Sequence, residues 1–341
     1  MAKPADHRQN HWAWPLTRWP ALLVLAVLVT GCTITPDREQ APASASEVLY
    51  SLDAQGDTLL ARHAPLIRIE EGTRDYNKIG TVSARYDEKG KEEIYVDTAT
   101  PTLYTEQRSF QGRHGRYTNL IYRMHFREVP FSLWPFSLTY GRNVGLLVIV
   151  TLNEAEKPVL LTTVHSCGCY LAIVPTDQLI DSALPPDWRH DSQIVFGETL
   201  TGRLHLANKA GAKIIIDLRG GSHRVHEISA LAAANLPPDR PPLRAPMLPI
   251  RALRELPLGD GVTSMFATEG RRKGYVKGSS KPFEAAFMSW WALDLNVGVD
   301  KDYGAADDTG TIFYTSLKPW QRRASDMWPF EDFLAFWGWS L

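Results

Sequence analysis

The hydrophobic pattern between residues 92 and 218 is that of a strand-rich protein. Residues 144–152 (VGLLVIVTL) form an unbroken apolar run, which is typical of a strand buried on both faces. Neighbouring segments carry β-branched and aromatic residues with partial alternation, which favours further strands. The predicted strands are residues 92–103, 117–126, 144–152, 159–174, 194–206 and 213–218. The polar break at residues 153–157 predicts a hairpin between the two strands beside it.

The pattern changes toward the carboxyl terminus. Residues 229–235 (SALAAAN) predict a short helix, and residues 283–295 and 326–337 predict two longer helices, with Pro329 in a first turn. Residues 236–257 hold seven prolines. Because proline lacks a backbone donor and fixes φ, this stretch predicts an extended strap.

These elements predict an α+β fold, with a β-rich, mostly antiparallel body and C-terminal helices packed on it. The body is expected at residues 47–235, the strap at 236–257 and the helical part at 258–341. A chain of 341 residues is long enough to bury a sizeable core without disulfides or metals.

The amino terminus has a different character. Residues 21–30 are an apolar run of ten, too short to span a bilayer, and the basic residues Lys3, Arg8 and Arg18 precede them. This arrangement is typical of a secretory signal peptide. The tetrapeptide Val29-Thr30-Gly31-Cys32 follows at once and resembles the lipobox of bacterial lipoproteins.

That resemblance implies a signal peptide at residues 1–31, removed on export, and a mature chain whose Cys32 carries a diacylglyceryl group and an acyl chain such as palmitate. Two or more acyl chains hold a protein stably on a membrane. Residues 32–46 would form a flexible tether. Thr33, in place of aspartate, resembles the pattern of outer-membrane lipoproteins facing the periplasm.

The charge balance excludes one class of partner. Removing residues 1–31 takes three basic residues and one acidic residue from totals of 37 and 38, leaving 34 and 37 and a net charge of −3. Nucleic-acid binding usually requires a concentrated positive surface. We therefore expect no nucleic-acid partner, and a membrane contact made through the lipid anchor.

The sequence Val164-His165-Ser166-Cys167-Gly168-Cys169 holds the two cysteines other than Cys32. In a strand, His165, Cys167 and Cys169 would share one face and offer soft donors for copper, zinc or iron. The thiols could instead form a disulfide or redox pair, for which Gly168 would have to permit a turn, or be small buried hydrophobes. These interpretations remain open at this point.

His223 and His226 are the candidates to complete a metal site with His165, Cys167 and Cys169. Their spacing places them on one face if the segment is helical. Familiar catalytic motifs are absent: the segment from Gly220 fails the nucleophile elbow, and that from His226 fails the zinc-protease motif.

Three further segments have ordinary interpretations. The basic residues Arg271, Arg272, Lys273, Lys277 and Lys281 are expected in a solvated loop, with anionic lipid headgroups as an alternative partner. The acidic residues Asp300, Asp302, Asp307 and Asp308 are expected in an exposed loop. The aromatic last 22 residues are expected to pack as a helix on the sheet rather than to bind a membrane or ligand.

The leading functional prediction is an envelope lipoprotein without enzymatic activity, which binds a small ligand or an envelope protein or serves as a scaffold at the membrane surface. The alternative is a metal- or thiol-dependent periplasmic enzyme built on His165, Cys167 and Cys169. A third possibility is an assembly partner of an outer-membrane complex.

Overall fold

Long apolar strands in the middle of the chain form the centre of a mixed sheet in this computed structural model. It describes residues 46–53, 57–134, 136–206, 211–232, 235 and 241–341. The predicted signal peptide, Cys32 and the tether up to residue 45 lie outside the described residues. The residues described from 46 onward belong to one compact unit.

The strands are short at both ends of the chain and long in the middle. They are β1 (Val48–Asp53), β2 (Leu66–Ile69), β3 (Thr81–Tyr86), β4 (Glu92–Asp97), β5 (Leu103–Gly112), β6 (Gly115–Val129), β7 (Gly141–Leu152), β8 (Pro158–His165), β9 (Ala172–Pro175), β10 (Ser192–Val195), β11 (Glu198–Thr201), β12 (Lys213–Leu218), β13 (Val225–Leu231), β14 (Leu243–Pro249), β15 (Leu256–Leu258) and β16 (Gly261–Thr263).

The helices are short. The α-helices are α1 (Leu59–Arg62), α2 (Pro282–Ala292), α3 (Ala306–Thr309) and α4 (Phe330–Phe336). Single 3₁₀ turns lie at Asp75–Asn77, Asp181–Ala183, Ile250–Arg254, Gly270–Arg272 and Pro319–Gln321. The fold is therefore a β-rich α+β fold, and most of its helices follow the strands.

Ten strands form one sheet in the order β13-β12-β2-β1-β14-β5-β6-β7-β8-β9. The pairs β2–β12, β1–β14 and β5–β14 are parallel, and the other six pairs are antiparallel. The predicted hairpin between β7 and β8 is confirmed, and residues 153–157 form its turn.

The apolar run in β7 is buried on both faces, as predicted. Leu146, Val148 and Val150 pack in a hydrophobic core on one face of the sheet, and Leu147 and Ile149 pack in a second core on the other. Side chains alternate across a strand, so a strand covered on both faces has no polar stripe. This double burial places β7 and its neighbour β8 at the centre of the molecule.

The predicted proline strap is extended at Leu243–Pro249, but these residues form a strand of the sheet. β14 lies inside the sheet, where Leu243–Pro246 pair with β1 and Met247–Pro249 pair with β5. Pro246 and Pro249 end these two ladders. A proline cannot donate a hydrogen bond to a neighbouring strand. β14 changes its partner between residues 246 and 247, so each proline lies where one ladder ends.

The prediction of a helix at residues 229–235 is wrong for its first half. Ser229, Ala230 and Leu231 belong to β13, which pairs with β12 at the sheet edge. Helix propensity is a weak prior, and pairing with an already placed strand overrides it.

The two predicted C-terminal helices are α2 and α4. Pro329 is the N-cap of α4, outside the helix interior. Phe330, Phe333 and Leu334 of α4 are buried in the second core, and Phe330 contacts Phe110 of β5 at 5.4 Å between ring centroids. α4 therefore packs on the sheet through its apolar face.

Candidate functional site

The two cysteines of the predicted cluster lie in the loop that joins β8 to β9. β8 ends at His165. The Gly168 amide donates a hydrogen bond to the His165 carbonyl oxygen at 2.7 Å, and the His165 amide donates to the Cys169 carbonyl oxygen at 3.0 Å. The expectation that His165, Cys167 and Cys169 share one strand face is therefore wrong, because the strand stops before either cysteine and a tight turn begins. We call residues 165–170 the thiol turn.

Gly168 is required at the centre of this turn for two reasons. Its φ is +88°, in the left-handed region that favours glycine. A Cβ atom at this position would also lie 2.0 Å from the Tyr314 carbonyl oxygen, far inside van der Waals contact. A turn at Gly168, which the sequence only permitted, is therefore present. It packs closely against the segment around Tyr314.

The two cysteines are free thiols that lie side by side. Cys167 is only 1% exposed, while Cys169 is partly exposed. The turn brings the Cys169 thiol within hydrogen-bonding reach of Cys167. Residues two apart in an extended strand are separated by roughly 6.6 Å. The turn removes that separation, which was the physical objection to a direct bond between the two sulfur atoms.

A buried carboxylate organises the surroundings of the thiol turn. Asp300 accepts hydrogen bonds from the Ser166 hydroxyl at 2.6 Å, the Gly145 amide at 3.2 Å and the Ser279 hydroxyl at 3.1 Å. The Lys281 ammonium lies 4.0 Å from the same carboxylate. Asp300 thus joins β7, the thiol turn and the segment that leads into α2.

Two buried lysines face the thiol turn. The side chain of Lys281 is 1% exposed and lies immediately before α2. Lys301 is fully buried; its ammonium donates to the Cys167 carbonyl oxygen and lies 4.0 Å from the centroid of the Tyr314 ring. The Lys301 amide also donates to the Ser166 carbonyl oxygen at 2.8 Å. Two buried ammonium groups thus lie beside the turn, together with the Asp300 carboxylate.

These charges act on the thiols. Burial raises the pKa of Cys167, but the hydrogen bond from Cys169 and the nearby Lys281 ammonium outweigh it and hold that pKa below the ordinary thiol value. The hydrogen bond to Cys167, together with burial, raises the pKa of Cys169. Burial lowers the pKa of Lys281, and the neighbouring Cys167 and Asp300 more than reverse this. The arrangement favours a Cys167 thiolate beside a Lys281 ammonium.

The sequence interpretation missed these partners of the thiols. Lys281 was expected in a solvated basic loop, and Asp300 and Asp302 in an exposed acidic loop, yet all three are buried. Of the predicted acidic loop, Asp307 and Asp308 are exposed. Charge alternation in a polar stretch is typical of surface loops, so no local feature of the sequence indicated this burial.

Two of the predicted histidines, His165 and His223, form hydrogen bonds with the backbone. His165 Nε2 lies 3.0 Å from the His223 carbonyl oxygen, and His223 Nε2 lies 2.9 Å from the Tyr76 carbonyl oxygen. The His223 ring stacks on Phe126 at 4.0 Å between centroids. Burial lowers the pKa of each histidine to about 3, helped in His165 by Lys281 and in His223 by His165. Both rings are therefore neutral and bonded to the backbone.

His226 lies apart from the other candidates. It belongs to β13, and His223 precedes that strand with a φ of +56°, so the two histidines do not share a helical face as expected. His226 Nε2 is 3.5 Å from a Glu70 carboxylate oxygen. Within the described ranges, no group of three or more His, Cys, Asp or Glu side chains is arranged to hold a metal ion. The metal interpretation of His165, Cys167, Cys169, His223 and His226 thus gains no support.

A second unusual feature is an apolar surface around α2 and the loop between β6 and β7. We call it the aromatic surface, and its members are large hydrophobic side chains that are all more than a third exposed: Phe131, Leu133, Trp134, Phe136, Phe287, Trp290, Trp291, Leu293 and Leu295. Leu133 and Phe136 form a β-bridge, which places Trp134 at the tip of the loop, where it is 94% exposed.

Aromatic contacts join the two halves of this surface. Phe283 of α2 lies 6.0 Å from Phe131 and 5.0 Å from Phe136, measured between ring centroids, and Phe136 lies 6.5 Å from Phe287. Residues three and four apart share a helix face. Phe283, Phe287 and Trp290 thus follow one side of α2, while Glu284 and Ala292 are buried on the other.

The first described residues are linked to the β6–β7 loop through intermediate segments. Val48 packs on Gly72. The next turn carries Asn77, whose side-chain oxygen accepts a hydrogen bond from the Gly221 amide at 2.7 Å. Gly221 in turn packs next to Pro130, the first residue of the loop. Two packing contacts, one hydrogen bond and the short segment between Gly72 and Asn77 therefore link the start of β1 to the base of the aromatic surface.

The predicted basic loop is largely paired. Lys277 donates to Glu92 at 2.7 Å, and Arg272 donates to the Val276 and Ser279 carbonyl oxygens at 3.3 and 2.8 Å. With Lys281 buried, Arg271 and Lys273 are the exposed cations of this set that no such bond occupies.

Two further findings concern membrane-spanning helices and similarity to known proteins. Among the helices of the described residues, none is long and apolar enough to cross a membrane. Comparison with protein-family models, with curated proteins and with solved structures finds no match for this chain.

Proposed function

We propose that this protein is a lipid-anchored envelope protein, on the periplasmic side of the outer membrane, whose body also binds the bilayer surface. The aromatic surface is the observation that carries the proposal. Held by both contacts, the β-rich body would serve as a binding or scaffold protein at a fixed orientation to the membrane. The lipid anchor at Cys32 is a further part of the same proposal.

The exposure of the aromatic surface favours an interaction with a partner. A large contiguous apolar patch on a protein surface usually marks a site of interaction with a protein or a membrane. Tryptophan is enriched where proteins meet the membrane interface, because its ring is apolar and its N–H is polar. Trp134, Trp290 and Trp291 supply three such side chains in one region.

The charges in and around this surface favour lipid as the partner. Residues 130–140 and 285–293 contain no charged side chain. Asp294, between Leu293 and Leu295, is 11% exposed and lies 3.8 Å from Arg322, so the surface can enter the headgroup region without desolvating an unpaired ion. Arg271, which is exposed, lies beside its edge, since its carbonyl oxygen accepts a hydrogen bond from Asn296 at 3.1 Å. An exposed cation near an anionic membrane contributes about 1 kcal/mol.

The position of the amino terminus favours the same bilayer. Thirteen residues, 33–45, separate Cys32 from the first described residue, Ser46. Such a segment reaches at most about 50 Å. Because Gly72, Asn77 and Gly221 link the start of β1 to the base of the aromatic surface, the anchor and the surface can meet one membrane together.

Vesicle binding tests the second contact. A chain that begins at Thr33 lacks the acyl chains, so its co-sedimentation with vesicles reports the body alone. We expect binding to vesicles that contain anionic phospholipid, and a loss of about tenfold on Trp134→Ser. The reason is that burying a large apolar side chain is worth about 1.5–3 kcal/mol, and 1.4 kcal/mol is tenfold.

Val262→Ser is the matched control. Val262 is 73% exposed, as Leu133 is at 72%, but it lies in β16, outside the aromatic surface. Leu133→Ser should weaken binding and Val262→Ser should not. Equal binding of all variants, or no binding at all, would contradict membrane docking; capture of an envelope protein by the aromatic surface instead would support the assembly-partner alternative.

The anchor has an independent test. Mass spectrometry of the protein isolated from a bacterial envelope should find a mature amino terminus at Cys32 that carries acyl chains. Cys32→Ser should abolish acylation and leave the signal peptide uncleaved. An unmodified Cys32 in the mature protein would remove the anchor from the proposal without affecting the vesicle result.

A further inference from the structure

We infer that Cys167 and Cys169 form a redox-active dithiol that exchanges with disulfide bonds of other molecules, and that Lys281 stabilises its reduced form. The inference does not depend on membrane docking. It rests on three features of the thiol turn: the proximity of the two thiols, their unequal exposure and the buried ammonium beside them.

The geometry of the turn permits a bond between the two sulfur atoms. The backbone turns back at Gly168, and the thiols already lie within hydrogen-bonding reach. The turn is fixed from several sides, because Lys301 donates to the Cys167 carbonyl oxygen and Ser166 donates to Asp300. Oxidation therefore requires a local movement of two side chains rather than the assembly of distant residues.

Unequal exposure assigns different parts to the two cysteines. Cys169 is partly exposed and Cys167 is buried, so an incoming disulfide meets Cys169 first. Around Cys169 lie the partly exposed Tyr170 and, 4.9 Å from that ring, the 55% exposed Phe196. Cys167 is then in position to resolve the mixed disulfide, which is the usual division of roles in a dithiol.

The exchange balances without a metal or other cofactor. The pair starts as a Cys167 thiolate and a protonated Cys169 thiol, so the Cys169 proton first passes to Cys167. The Cys169 thiolate then bonds to one sulfur of the incoming disulfide, whose bond breaks, and the first thiolate leaves. Cys167 gives the proton to that leaving group, displaces the second thiolate from Cys169 and forms the Cys167–Cys169 bond, and the second thiolate takes a proton from water. The two cysteines lose two electrons in total, and the incoming disulfide gains them as two thiols.

Lys281 sets the direction of this equilibrium. Its side chain is 1% exposed, and its carboxylate neighbour Asp300 is 4.0 Å away. A buried ammonium is stabilised by negative charge close to it. A Cys167 thiolate supplies that charge, and a neutral disulfide does not. Stabilising the reduced form makes a dithiol couple more oxidising.

A redox titration of the full processed chain in mild detergent tests the inference. The protein is equilibrated in buffers with different ratios of reduced and oxidised glutathione, quenched in acid, alkylated with N-ethylmaleimide and weighed as an intact chain. We expect one two-electron transition, from a form with two alkyl adducts to a form with none. Persistence of two adducts in oxidised glutathione alone, or of none in excess reduced glutathione, would overturn the inference.

The role of Lys281 has its own measurement. Lys281→Met should move the equilibrium with glutathione at least tenfold toward the disulfide, because it removes the charge that favours the thiolate. Lys273→Met, which removes an exposed cation from the same region, should leave it unchanged. Lys281→Arg keeps the charge and should restore the equilibrium to near the wild-type value if the methionine variant folds poorly. An unchanged equilibrium in a folded Lys281→Met protein, or a tenfold shift in Lys281→Arg, would refute the role of Lys281.

Discussion

The thiol turn and the aromatic surface both depart from the usual distribution of side chains, in opposite directions. Around the thiol turn, Lys281, Asp300 and Lys301 are buried. On the aromatic surface, Trp134 and Trp290 are 94% and 71% exposed. In most proteins charged side chains are outside and tryptophans are largely covered. The two regions are also neighbours in sequence, since Lys281 immediately precedes α2, whose outer face carries part of the aromatic surface.

The contrast teaches how each region is maintained. The buried charges are tolerated because Asp300 accepts three hydrogen bonds and lies close to Lys281. Several hydrogen bonds and an ion pair hold these charges together, so removing one charged side chain leaves its partners unpaired. The aromatic surface has no comparable network within the described residues, so changing it should hardly affect the fold. Local departures of this kind are expected where a protein carries its function.

Replacing Asp300 should give the largest effect on stability. Asp300→Ala leaves the Ser166 and Ser279 hydroxyls without their acceptor and Lys281 without its carboxylate. Breaking a buried charge pair costs about 3–5 kcal/mol, so we expect a loss of that order in the free energy of unfolding. Urea denaturation measures it. Asp307→Ala, at an exposed position, should change the value by less than about 0.5 kcal/mol; a similar small change for Asp300→Ala would show that the buried network is not stabilising.

Gly168→Ala should have the next largest effect. The new Cβ would lie 2.0 Å from the Tyr314 carbonyl oxygen, at a φ of +88°. Left-handed backbone costs about 1–2 kcal/mol and overpacking about 1–3 kcal/mol, so we expect a loss of about 2–5 kcal/mol. Gly90→Ala is the control, because Gly90 has a φ of +71° with open space around it and should lose only the backbone contribution. Equal losses in chemical denaturation would mean that the close approach to Tyr314 is unimportant.

Acid should destabilise the protein before its carboxylates titrate. The folded-state pKa of His165 and of His223 is about 3, below the ordinary value of about 6.5 expected in the unfolded chain. Between these values the unfolded chain binds more protons, so stability is lost as the pH falls below 6.5. From pH 7 to 5 each histidine should contribute a loss of about 1–2 kcal/mol. Urea unfolding of His223→Gln, which keeps a donor for the Tyr76 carbonyl oxygen, should lose one such contribution; an unchanged pH dependence would assign the effect to other groups.

The sequence predicted the strands best where the hydrophobic pattern alone decides. β7 and β12 lie where predicted, since an unbroken apolar run has few alternatives to a covered strand. β14 was missed because its prolines are typical of linkers. The sheet accommodates these prolines because β14 changes its pairing partner from β1 to β5 along its length.

The candidate site was predicted in part for a similar reason. Cys167 and Cys169 are separated by a single residue and could be identified as a pair. Lys281 and Asp300 lie more than a hundred residues further along the chain and approach the pair only through the sheet topology. Their sequence surroundings are those of surface loops, so their burial could not be predicted. The exposure of Trp290 was equally hidden, because an aromatic helix usually packs inward.

The smallest effect on stability is expected on the aromatic surface. Trp134→Ser removes a side chain that is 94% exposed, and surface substitutions away from special features change the free energy of unfolding by about 0.5 kcal/mol or less. The same substitution is expected to weaken vesicle binding about tenfold. Chemical denaturation and vesicle co-sedimentation of one preparation measure both. A stability loss comparable to that of Asp300→Ala would place Trp134 in the fold and end the contrast with the thiol turn. Loss of binding without loss of stability would assign the exposed aromatic side chains to the membrane.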